Sequence, residues 1–121
     1  MKLKRIRPVL WTRELLETIE FYKSKLGFTC LSFDESWGWA SLRRDAIEIM
    51  VSLPNDHFEF KQSEFTGSLY IDVEDVSSIW EELKDKVEVC YPMESFEYGM
   101  KEFAVYDNNG YIIQFGEVIS V

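Results

Sequence analysis

The sequence predicts an α+β domain built from two successive βαβββ units whose mixed sheets form a cleft, and three observations lead there. The order strand, helix, three strands can be read twice along the chain. Sliding the second reading onto the first so that Tyr22-Lys23 meets Leu83-Lys84 also brings Lys25-Leu26 onto Lys86-Val87, Phe28 onto Val89 and Gly38 onto Gly99. Finally, 121 residues with 46% apolar and 16% aromatic content suffice for a single domain with a core of its own. A duplicated unit of this size cannot bury its sheet face alone, so the two are expected to share a cleft or to pack edge to edge.

In the first unit, residues 4–11 alternate loosely as a strand and end at Thr12, which can cap a helix whose apolar positions Leu15, Ile19, Tyr22 and Leu26 recur at helical spacing. Gly27 suits the left-handed position that ends such a helix. Three strand-like runs follow, 28–33, 38–42 and 46–53, separated by Asp34-Glu35-Ser36 and Arg43-Arg44-Asp45. This is repeat one, about 1–53. Residues 54–66, with Asn55-Asp56, His57 and several phenylalanines but no clear period, are read as the linker. Repeat two, about 67–121, opens with strand 67–73 and the cap candidate Asp75. A helix follows with Val76, Ile79, Trp80 and Leu83 on one face, then strands around 87–89, 102–106 and 111–117. Asp107-Asn108-Asn109-Gly110 between the last two is a strong hairpin turn.

Bulk properties exclude several classes. A formal charge of -9 opposes a nucleic-acid partner, which needs a basic face, and suits a cationic ligand. Apolar runs are far shorter than a bilayer span, so no membrane association is expected. The basic start Met1-Lys2-Leu3-Lys4-Arg5 runs straight into a strand pattern instead of a signal-peptide apolar region, which reads as cytoplasmic. Cys30 and Cys90 are too few and too far apart for a disulfide framework or a paired-cysteine metal site. There is no nucleophile elbow and no phosphate-cradling glycine loop, and no catalytic residue is assigned.

Three stretches carry a resemblance. They are residues 21–28, FYKSKLGF; residues 70–76, YIDVEDV; and residues 98–110, YGMKEFAVYDNNG. Their content and placement within the repeat resemble the glyoxalase, bleomycin-resistance and ring-cleaving dioxygenase superfamily, closest to its bleomycin-resistance-like members. Together with the repeat, they cover nearly the whole chain. Enzymes of that superfamily hold a divalent metal between the halves on His, Glu or Gln from the first and fourth strand of each unit. The resemblance carries those positions onto Arg7 and Ser68 on the first strands and Met50 and Gln114 on the fourth. Only Gln114 is a plausible ligand, and a shifted register that offers Glu48 for Met50 still brings no imidazole and adds the charge of Arg7. The only histidine, His57, falls in the linker. No metal and no cofactor are expected.

The family's other role is sequestration: its bleomycin-resistance members are homodimers that trap bulky, planar, cationic antibiotics without chemistry. Phe33, Trp37 and Trp39 lie on and around the second hairpin. The spacing of Trp37 and Trp39 predicts two rings on one strand face, a stacking platform. Tyr98 stands where the family motif has Trp, with Met100 after it, and Phe58 and Phe60 come from the linker. Asp34, Glu35, Asp56, Glu59 and Glu97 flank these rings and could receive a cation. The leading expectation is a metal-free small-molecule binding protein, bleomycin-like in its ligand and homodimeric. A metal-dependent enzyme of the same fold and a protein-interaction module remain open alternatives.

Overall fold

In a computed structural model, which describes residues 1–57 and 59–119, the chain divides into two compact units, Met1–Gln62 and Ser63–Val121. Each contains a helix and a four-stranded mixed sheet, and the strand, helix, three strands order appears in both. No helix among the described residues is long and apolar enough to cross a membrane.

In the first unit the elements are β1 (Val9–Trp11), α1 (Leu15–Ser24), β2 (Thr29–Asp34), β3 (Trp39–Arg44) and β4 (Ile47–Ser52), with sheet order β1-β4-β3-β2. Strand β1 is parallel to β4 and the other pairs are antiparallel. Period-two alternation sorts the sheet's side chains. Leu10, Ala40, Leu42, Ile49 and Val51 are buried, as are Leu15, Ile19 and Tyr22 of α1, and Tyr22 meets Phe28 edge-on at 5.5 Å. The first strand is shorter than the pattern from residue 4 implied. Pro8 has no N–H to give a ladder, although its carbonyl still accepts from Met50 N at 2.9 Å. Thr12 does not cap α1 as expected. Its hydroxyl accepts the Glu14 N–H at 2.9 Å and sits 3.1 Å from the Thr18 hydroxyl, while Glu14 takes the cap position without a side-chain bond.

The second unit runs β5 (Leu69–Asp72), α2 (Val76–Leu83), β6 (Val89–Phe96), β7 (Met100–Tyr106) and β8 (Ile112–Val118), with order β5-β8-β7-β6. Phe103, Val105, Ile113 and Phe115 form its buried face with Val76, Ile79 and Leu83 of α2. Phe103 stacks on Phe115 at 5.2 Å and takes the edge of Trp80 at 5.0 Å. Asp75 caps α2 as predicted, accepting from Ser78 N at 3.2 Å and Ser78 Oγ at 2.8 Å. In the Asp107–Gly110 turn, Asp107 accepts from the N–H groups of Asn109 and Tyr111, and Gly110 adopts φ 88°.

Candidate functional site

The sheet face of the second unit that points away from the Phe103 core carries the molecule's most concentrated polar chemistry. Register places Tyr70 beside Gln114, Gln114 beside Ala104, Glu102 beside Gly116 and Tyr91 beside Ala104, so all these side chains share one face. Glu102 is 1% exposed, a depth that a carboxylate tolerates only when fully hydrogen-bonded. Tyr70 Oη donates to its Oε1 at 3.0 Å, Tyr91 Oη donates to its Oε2, and Gln114 Nε2 lies 3.4 Å from Oε2. The same Gln114 nitrogen donates to Tyr91 Oη at 2.8 Å, while Gln114 Oε1 accepts from Ser68 Oγ at 2.5 Å.

Gly116 makes the Tyr70 contact possible. A Cβ there would lie 1.9 Å from Tyr70 Oη and 2.6 Å from Cζ, so only glycine lets the phenol cross β8 to reach Glu102. Burial first, then the Glu102 carboxylate, raise Tyr70 above the ordinary tyrosine range. Burial chiefly pushes Tyr91 up to about 12, with Glu102 adding to the rise and the Gln114 donor opposing it. Tyr98 is raised by the same two causes, burial and then Glu102.

Two of the predicted ligand residues border this cluster. Tyr98 occupies the turn between β6 and β7 and is 66% exposed, its ring stacked on Phe96 at 5.3 Å and 12°, while Phe96 takes an edge contact from Tyr91 at 5.9 Å. Met100 opens β7, two residues before Glu102, and pairs with Phe96 across the ladder. Sequence reasoning missed Tyr70, Tyr91 and Phe96 here, and it gave Glu102 no role. The signal available was the alternation Met100, Glu102, Ala104, which puts Glu102 on the face opposite Phe103.

In the first unit the predicted residues are less united. Trp39 is half-buried on β3, and its indole N–H donates to Met50 Sδ at 3.3 Å. Trp37 is not on a strand. It lies in the turn closed by Gly38 N to Glu35 O at 3.1 Å, with Gly38 at φ 63°, and is 82% exposed. The alternation argument that set both rings on one strand face therefore does not apply. Phe33 pairs with Ala40, and Trp39 with Asp34, so Phe33 and Trp39 belong to opposite faces of the sheet. Phe60 lines an open depression of about 850 Å³ with Asp56 and Glu59, but Arg13 already lies over its ring at 5.0 Å and donates to its carbonyl, and Trp11 meets it edge-on. Phe58 lies outside the described residues.

The four positions that the resemblance pairs with the superfamily's metal ligands do not fit a divalent cation. Arg7 and Ser68 sit just ahead of β1 and β5 and not within them. Arg7 Nη1 binds Glu48 Oε2 at 2.9 Å, Arg5 Nη1 binds Oε1 at 2.6 Å and the Ser41 hydroxyl donates to Oε2. The Ser41 hydroxyl, then Arg7, draw Glu48 down to about 2. Glu48 is thus already neutralised by two guanidinium groups, and Glu102, beside Gln114, already accepts from Tyr70 and Tyr91. Met50 is a soft thioether engaged with an indole, and the Gln114 oxygen is engaged with Ser68. Among the described residues, no group of three or more His, Cys, Asp and Glu could hold a metal ion.

A family model, the Glyoxalase/Bleomycin resistance protein/Dioxygenase superfamily, matches residues 3–115. Similar solved structures include a superfamily member from Sphaerobacter thermophilus DSM 20745, with TM-score 0.80 and 14% identity over 95% of this chain and 98% of that one. A glyoxalase/bleomycin resistance protein/dioxygenase from Nocardioides gives TM-score 0.74 and 16% identity over 98% and 86%. TioX from Micromonospora sp. ML1 gives 0.72 and 15% over 94% and 99%. At these identities the likeness carries the fold alone. No curated protein matches the chain.

Proposed function

We propose, because the chain belongs to the glyoxalase/bleomycin resistance protein/dioxygenase superfamily, that it binds a small organic molecule through its own side chains and without a metal. The observation that carries this reading is the exposed Tyr98 ring, backed by Phe96 and set beside the Glu102 cluster, where the family's metal-ligand positions are engaged with one another. A planar molecule can stack on the outer face of Tyr98, and the electron-rich phenols and the protein's charge of -9 favour a cation. Tyr98 and Met100 of the second unit are the proposed contacts, and Trp37 and Trp39 of the first unit are proposed as contacts in their own right. Sequestration of a bleomycin-like antibiotic by a cytoplasmic homodimer is the finer form of the proposal; isologous pairing would build the binding surface twice.

The test is a titration of chelator-treated protein with metal-free bleomycin, followed by tryptophan fluorescence and by calorimetry. Saturable binding is expected, weakened roughly threefold to tenfold in Tyr98→Ala by loss of the stacking surface. Trp37→Phe and Trp39→Phe report the first unit's contribution separately. No response at tens of micromolar drug rejects bleomycin as the ligand. Unchanged affinity in Tyr98→Ala removes the aromatic stack from the reading.

A further inference from the structure

We infer that Glu102 is a specificity-determining residue: by drawing the Tyr70 and Tyr91 hydroxyl protons inward it leaves acceptor lone pairs on this face of the second unit's sheet, so that it selects planar ligands bearing N–H donors. The inference rests on the proposed small-molecule binding at this face and goes further by naming the ligand's polar chemistry.

A carboxylate accepts only, so Tyr70 and Tyr91, which each have one hydroxyl proton, both direct it to Glu102. Gln114 cannot turn over. Its Nε2 donates to Tyr91 Oη, and flipping the amide would set its oxygen against a phenol oxygen whose proton is already committed. Gln114 Oε1 in turn takes the Ser68 proton. Glu102 therefore orients the whole chain of bonds, and the lone pairs of Ser68 and Tyr70 are what the network turns outward. Ser68 is exposed and Tyr70 is 41% exposed as a residue although its hydroxyl lies low against Gly116, so a ligand stacked on this face can approach both while Glu102 itself is buried. Other charges on the face agree with this polarity. Glu94 pairs with Glu102 across the ladder, whereas Lys101, one position along β7, donates to Ser77 Oγ at 3.3 Å on the helix side. Raised phenol pKa values keep the arrangement intact across neutral pH.

Proflavine and acridine orange make the test, since they share a planar cationic tricycle but only proflavine has N–H on its exocyclic nitrogens. Proflavine is expected to bind the native protein roughly tenfold more tightly, the worth of a hydrogen bond to a well-placed acceptor. In Glu102→Gln the new amide donates to one phenol oxygen, turning that phenol's own proton outward. The preference should then collapse towards unity while acridine orange affinity is retained, which a merely bulky methyl effect would not produce. Tyr70→Phe keeps the carboxylate but removes one outward acceptor, and should weaken proflavine and spare acridine orange even if Glu102→Gln folds poorly. Equal binding of both dyes to native protein, or a preference that survives both substitutions, overturns the inference and leaves the binding reading standing. Binding of neither dye, together with no response to bleomycin, overturns both.

Discussion

Glu48 and Glu102 are two carboxylates on corresponding sheet faces of the two units, and their neighbours set them to different tasks. Glu48 is held by Ser41, Arg7 and Arg5 and titrates at about 2 against an ordinary 4.5. Its folded pKa is depressed, so the stability it contributes is present above the unfolded value and is lost as pH falls from 4.5 towards 2. Urea unfolding at several pH values should show a steeper loss in that window for native protein than for Glu48→Gln. Equal slopes would show that the cluster does not couple to folding. Among the described residues, the hydrogen-bonding set of Glu102 is made of phenols and an amide and holds no cation, which is why it suits a polar recognition face better than an ion-pair strut. Neither role was legible in the sequence. A glutamate on an alternating strand reads as a solvated face, and the phenols that bury Glu102 come from β5 and β6, distant in the chain and joined only by register. The room left by Gly116 was equally invisible, because glycine in a strand does not declare which ring will cross it.

At the scale of elements, the sequence was read most accurately where local chemistry decides the outcome. Asp75 is followed three residues later by Ser78 and by a clean apolar face, and the cap forms as predicted; Asp107-Asn108-Asn109-Gly110 makes its turn for the same kind of local reason. Asp75→Ala should cost about 1 kcal/mol of stability in denaturant unfolding, the usual worth of an N-cap. A change near zero would mean that packing of Val76, Ile79 and Leu83 alone holds α2. Local reading failed where tertiary partners decide. Residues 4–8 alternate like a strand, but Arg5 and Arg7 turn to Glu48 and Pro8 gives no donor, so β1 starts only at Val9. Trp37-Gly38-Trp39 looked like a strand pair because alternation counts residues and not φ; the positive φ of Gly38 makes it a turn. Beside that turn a Cβ on Gly38 would lie 2.7 Å from Leu53 Cδ1, so the close approach of Leu53 also requires glycine there.

For the molecule as a whole, the repeat and three short motifs were sufficient to name the superfamily, since duplicated topology is written along the entire chain and survives wide divergence of side chains. Function is written in far fewer positions, which the resemblance places at Arg7, Met50, Ser68 and Gln114. These four side chains are engaged with neighbouring side chains, while an acceptor-rich face with a stacked aromatic edge occupies the second sheet. A charge of -9 adds a long-range field favouring cations, strongest at low salt. Binding is expected to need the protein's own side chains and no metal. Titrating proflavine into the protein in excess chelator, and again after dialysis against Zn²⁺ or Mn²⁺, decides the matter. Superimposable isotherms are expected in all three conditions; binding that appears only in the metal-treated samples would overturn the metal-free reading.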